Sequence, residues 1–123
     1  NIFLICSGNL TISNSQIGTG LGSAVITYSK GVADYNNSTV YGLIISKGNS
    51  LELDGSTVYG AILNYSSSFS LVGDSDITGS VISNSSVDFQ GNDASITRGN
   101  IPTFLGLNIG LDPIVVPGSY LEY

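Results

Sequence analysis

LIISKGNSLELDGSTVYG (residues 43–60), AILNYSSSFSLVGDSDITG (61–79) and SVISNSSVDFQG (80–91) follow one another with nearly the same pattern. Leu51, Phe69 and Val87 are 18 residues apart, as are Leu53, Leu71 and Phe89, and so are Gly55, Gly73 and Gly91. A fixed period of this size marks a solenoid, in which each repeat is one turn of a coil stacked on the last. Within a repeat, Leu51 and Leu53 flank Glu52, the period of two expected of a strand with one buried face.

The pattern extends in both directions. A rung is read over residues 2–20, a second over 24–42, and a fifth over 80–99. One apolar column is Phe3, Ile26, Ile44, Ile62 and Val81; a second is Ile12, Tyr35, Leu53, Leu71 and Phe89; a third is Ile17, Val40, Val58, Ile77 and Ile96. All three open with a step of 23, which places a five-residue insertion in the glycine-rich segment 19–23. Such a loop leaves the coil without breaking the stack.

Corners recur in the same register. Asn14, Asn37, Gly55, Gly73 and Gly91 form one column of residues that accept positive φ at low cost. Gly42, Gly60 and Gly79 form another, and Gly8, Gly31, Asn49, Ser67 and Ser85 a third. Three corners and three short strands per turn predict an all-β, single-stranded, three-sided parallel β-helix of about five rungs. Apolar spacings are not regularly six, which favours a right-handed coil. The rungs occupy residues 1–99. Residues 100–123 contain all three prolines but remain rich in Ile, Leu and Val. They are expected to form an extended C-terminal cap over the last rung, since proline cannot donate to a ladder.

Composition bounds the function. Charged residues are 10% of the 123, against about 25% in ordinary globular proteins, and 41% are hydrophobic. The net charge is −6, with only Lys30, Lys47 and Arg98 basic. No basic stripe exists to neutralise phosphates, so neither nucleic acid nor an anionic membrane is an expected partner. No apolar run is long enough to span a bilayer as a helix. There is no His for a catalytic triad. The carboxylates lie scattered along outward positions, so no enzyme and no cofactor are expected. Cys6, in the apolar run Ile2–Cys6, reads as a small hydrophobe.

Two outward ladders merit attention. Tyr41, Tyr59, Thr78 and Thr97 line one face, and stacked tyrosines could bind a surface glycan or simply support the sheet. Thr11, Asp34, Glu52, Ser70 and Asp88 line another. There Asp34 and Glu52 are adjacent like charges, with Lys30 and Lys47 as candidate counter-charges. A Ca²⁺ there is disfavoured, because the Gly-Gly-x-Gly-x-Asp calcium repeat is absent. Asn-x-Ser/Thr sequons at Asn9, Asn36, Asn37, Asn64 and Asn84 matter only in a glycosylating cell.

The repeats GLIISKGNSLELDGSTVYGAIL and LVGDSDITGSVI, with the ending Val116-Pro117-Gly118-Ser119-Tyr120, resemble the β-helical C-terminal domain of PilX-type pilus-assembly (minor-pilin-like) proteins. The resemblance implies an extracellular, cell-surface structural module whose partners are other pilus or filament subunits, itself included. That family carries an N-terminal pilin-like helix, for which this sequence has no counterpart. Bactofilins, self-polymerising β-helical scaffolds with a similar rung length, lack the ending. An adhesin-like glycan-binding β-helix is the remaining alternative. The first rung opens directly with Phe3, Leu4 and Ile5, an edge expected to be covered by a preceding segment or a neighbouring subunit.

Overall fold

Alternating aliphatic and small polar residues between Asn and Gly corners build a parallel β-helix. The structure is a computed structural model that describes residues 2–20 and 25–98, and the backbone of 103–104 and 107–108. The first two rungs contribute β1 (Ile2–Cys6), β2 (Leu10–Ser13), β3 (Gln16–Ile17), β4 (Val25–Ser29) and β5 (Ala33–Asn36). The central part contributes β6 (Thr39–Ser46), β7 (Ser50–Asp54), β8 (Thr57–Asn64), β9 (Ser68–Val72) and β10 (Asp76–Ser83). The chain then adds β11 (Val87–Phe89), β12 (Ser95–Thr97), β13 (Thr103–Phe104) and β14 (Leu107–Asn108).

Every pairing within the coil is parallel and joins one turn to the next. One sheet runs β1-β4-β6-β8-β10-β12, with β3 also on β6; the other runs β2-β5-β7-β9-β11. Of the tail, the described residues give only an antiparallel pair, β13 with β14. The expected cap over the last rung lies otherwise outside the described residues, as do residues 21–24 of the insertion.

Two of the three apolar columns form as read. Ile12, Tyr35, Leu53, Leu71 and Phe89 are direct register partners in series. So are Ile17, Val40, Val58, Ile77 and Ile96. The first column does not. Ile26 pairs with Leu43, and Ile44 pairs with Thr27. The inward file is Leu4, Thr27, Ile44, Ile62 and Val81, while Phe3 and Ile26 face outward. The cause is a corner of unequal length. Eight residues separate Val25 from Ala33, but nine separate Gly42 from Leu51, so the step on this face is 17 rather than 18. A slip of one residue sends every side chain to the opposite face. Thr27 therefore sits in the apolar interior, where its hydroxyl and the buried Tyr35 hydroxyl share a 2.8 Å hydrogen bond. Burial pushes Tyr35 up to about 12, an effect that the bond to Thr27 partly offsets.

The corners divide by kind. Asn14, Asn37, Gly55 and Gly73 adopt φ of 50°, 48°, 60° and 65°, as their column predicts. Gly91 does not have positive φ, although it still stacks on Gly73: an added Cβ would lie 2.0 Å from the Gly73 carbonyl oxygen. Gly42, Gly60 and Gly79 are not breaks between strands. They lie inside the eight-residue strands β6, β8 and β10, which bend through them from one face to the next. Gly60 and Gly79 have φ of 151° and 146°, and a Cβ on either would stand 2.0 or 1.7 Å from the carbonyl oxygen of the glycine below. No side chain fits there. In the third corner column Gly31 lies against Gly8, and Gly48, not Asn49, lies against Gly31, which follows from the same unequal corner.

A hydrogen-bonded spine runs up the interior beside the left-handed corner. Ser38, Ser56 and Ser75 are buried. The backbone N–H groups of Ser15, Ser38 and Ser56 donate to the hydroxyls of Ser38, Ser56 and Ser75 in turn, at 3.1, 3.0 and 3.1 Å. Ser56 and Ser75 donate onward to the carbonyls of Tyr35 and Leu53 in the rung below, both at 2.8 Å. Each serine thus clips its rung to the one before, satisfying backbone groups that would otherwise be buried unpaired.

Candidate interaction surfaces

Tyr41 and Tyr59 come from adjacent long strands, in direct register just before the bends at Gly42 and Gly60. Their rings stack with centroids 5.0 Å apart and an interplanar angle of 13°. The ladder continues through Thr78 to Thr97 as the sequence predicts. Both tyrosines are half-buried, so the pair presents ring edges and hydroxyls over one flank of the coil. Offset stacking at this distance contributes about 0.5–1.5 kcal/mol beyond area burial.

The acidic ladder also forms, with Thr11 beside Asp34, Asp34 beside Glu52, Glu52 beside Ser70 and Ser70 beside Asp88. Among the described residues no three His, Cys, Asp or Glu side chains gather where a metal ion could be held. Two adjacent carboxylates fall short of the six to eight oxygens that Ca²⁺ takes.

A second outward surface was not read from the sequence. Ile5, Tyr28, Ile45, Leu63 and Ile82 form one outward file. Ile26, Leu43 and Ala61 form its neighbour, and Ile26, Leu43, Ala61, Ile45 and Leu63 pack together as a small cluster apart from the interior core, with Leu43 and Ala61 themselves buried. Tyr28, Ile45, Lys47 and Tyr65 line a shallow hollow of about 440 Å³ at its margin. The one-residue slip hid this surface, because it exchanges inward for outward positions on that face.

The ends of the coil are a third surface. Among the described residues the exposed large apolar side chains are Ile2, Phe3, Ile5, Tyr65, Ile82, Phe89 and Ile96. All but Tyr65 belong to the first or the last rung. Phe3 and Ile5 are 48% and 77% exposed on the edge strand β1, the edge that the sequence reading expects a preceding segment or a neighbouring subunit to cover. Leu4 differs from that reading: it points inward and packs on the core. Cys6 is a free, half-buried thiol whose Sγ donates to the Asn9 carbonyl at 3.0 Å.

The hydroxyls inside the coil serve structure. The spine serines hold backbone groups. Near the opposite corner the buried Asn64 amide donates to the hydroxyls of Ser83 and Ser85 at 2.9 and 3.0 Å. Ser29 and Ser46, which precede Asn64 in that file, keep buried hydroxyls without a partner. The spine was legible in principle: Ser15, Ser38, Ser56 and Ser75 are spaced 23, 18 and 19, the steps of the third apolar column.

No family model, no curated protein and no solved structure matches this chain. The fold defines it as a β-solenoid, and among the described residues no helix is long and apolar enough to cross a membrane.

Proposed function

We propose that this domain is a non-catalytic structural module of an extracellular surface filament, held among other subunits through the edge strand β1 of its coil. The observation that carries the reading is the first rung. There β1 pairs, among the described residues, with β4 alone, and exposes Ile2, Phe3 and Ile5. An apolar edge strand is a template for another strand. A pilus-assembly role, as the resemblance to PilX-type domains implies, is one form of this reading.

The experiment is immunogold labelling of intact cells together with blotting of sheared surface filaments. Label along filaments, with the chain in the sheared fraction, is expected. A chain confined to the cell interior sinks the proposal.

The Tyr41–Tyr59 stack favours a second reading, a glycan-binding adhesin. Aromatic faces and hydroxyls together suit sugar rings. On this reading Tyr59→Ala weakens attachment to a glycan-coated surface; unchanged attachment removes it.

A further inference from the structure

The two ends of the coil match each other. On the last rung Gly79–Ser83 is paired with Gly60–Asn64 on one side, while β12 covers only Asp76–Thr78 on the other. Among the described residues the unpaired edge at Gly79–Ser83 is therefore five residues long, as is β1. Eight residues separate Gly79 from Val87, and eight separate Ile2 from Leu10; the two central rungs have nine at this corner. The first and last rungs thus share a corner length, which the second rung also has between Val25 and Ala33.

Resting on the reading of this chain as an assembly module, we infer that its partner is a second copy of itself, stacked head to tail so that β1 of one copy continues the coil of the next. The register fixes the contacts. The second copy's Leu4 falls on Val81 inside and its Ile5 on Ile82 outside. Its Ile12 falls on Phe89 and its Ile17 on Ile96. These pairings would cover three exposed apolar side chains of the last rung, Phe89 51%, Ile82 49% and Ile96 39%, and would set the 77% exposed Ile5 of the next copy on Ile82. Asp88 meets Thr11, so no like charges are opposed.

The serine spine continues across the same junction. Each spine hydroxyl accepts from the rung below it, and among the described residues Ser15 stands at the foot of the spine. Ala94 holds the place one step past Ser75, since Ser95 N–H donates to the Ser75 carbonyl just as Asp76 N–H does to that of Ser56. Its N–H is the donor that the second copy's Ser15 hydroxyl would accept. An interface of this kind is heterologous and does not close, so it builds a filament.

The native thiol provides the test. In the stacked register Cys6 of one copy lies beside Ser83 of the next, at a ladder spacing of about 4.8 Å between strands. That separation suits a disulfide, whose Cα atoms lie about 4.4–6.8 Å apart. Within one chain the two positions stand at opposite ends of the coil. Full-length Ser83→Cys, oxidised mildly, is expected to give a ladder of covalent multimers on a non-reducing gel that reductant collapses. Adding Ile5→Lys, at a side chain exposed in the monomer, is expected to cut the multimers about tenfold or more by placing an unpaired charge at the junction. Sedimentation of the wild-type chain should show mass rising with concentration.

Products no larger than dimers, or a ladder indifferent to Ile5→Lys, overturn the inference. So does a wild-type chain monomeric at every concentration, as it would be with its own residues 99–123 laid over the last rung. A purified chain that stays monomeric yet labels surface filaments removes self-stacking and leaves the module reading intact.

Discussion

Leu71 and Phe89 occupy one interior column, a single turn apart, yet Leu71 is wholly buried and Phe89 is half exposed. Ile77 and Ile96 repeat the contrast in the next column. In a solenoid, burial depends on having a rung on both sides. The central rungs, residues 39–79, have that, and their strands β6 and β8 share one burial pattern position for position. Among the described residues the terminal rungs have a paired neighbour on one side only. The same chemistry that makes the centre a core makes the ends into sticky surfaces.

The contrast can be broken most sharply at glycine. Gly60→Ala is expected to cost about 3 kcal/mol or more, since a Cβ would strike the Gly42 carbonyl and φ there is 151°. Gly8→Ala, in the first rung with nothing within 4 Å of the new Cβ, should change stability by less than about 1 kcal/mol. Denaturant melts of the two variants measure both, and equal losses would refute the stacking argument.

Core truncation sharpens the comparison within one column. Leu71→Ala should cost about 2–5 kcal/mol. Phe89→Ala should cost well under that in the monomer, where half its surface already faces water. Similar midpoint shifts would mean that the last rung is covered.

The spine gives an intermediate effect. Ser56→Ala strips partners from the Ser38 N–H and the Tyr35 carbonyl, both buried, at about 2 kcal/mol. Ala94→Ser supplies the hydroxyl that the Ser75 N–H lacks and should gain about 0.5–1 kcal/mol, confined to the last rung. Amide exchange at Ser38 and Ser75 reads the two changes separately.

The smallest effect at neutral pH is electrostatic. Tyr35 titrates near 10.0 when unfolded and is raised to about 12 in the fold by burial, against a smaller lowering by Thr27. Its contribution is therefore complete below pH about 10 and is lost as pH rises towards and through about 12. The loss is on the order of 2 kcal/mol. Tyr35→Phe should flatten that alkaline decline, at a neutral-pH cost of about 1 kcal/mol for leaving Thr27 unpaired. Urea melts across that pH window test it, and an unchanged slope would count against a buried Tyr35.

Much of the coil was legible because two of its columns repeat at nearly constant steps. Ile17, Val40, Val58, Ile77 and Ile96 announce both register and facing. Asn14, Asn37, Gly55 and Gly73 announce left-handed corners, since few other residues tolerate that backbone. Face one was misread because Val25–Ala33 and Gly42–Leu51 differ by one residue in the corner, where Lys, Gly, Asn and Ser give no apolar marker to count from. The candidate surfaces inherit both outcomes. The Tyr41–Tyr59 ladder lies on a face of constant step and was found. The Tyr28–Ile45–Leu63 file lies past the unequal corner and was not.

The sequence by itself determined that the chain coils, how long each turn is, and which residues bend it, because periodicity and backbone preference are local properties. Only the tertiary structure decided which side of the first face is inside, that Thr27 and Tyr35 satisfy one another across the interior, and that serine hydroxyls clip rung to rung. Those depend on distances between residues a whole turn apart, and such distances are set by the summed lengths of the corners between them.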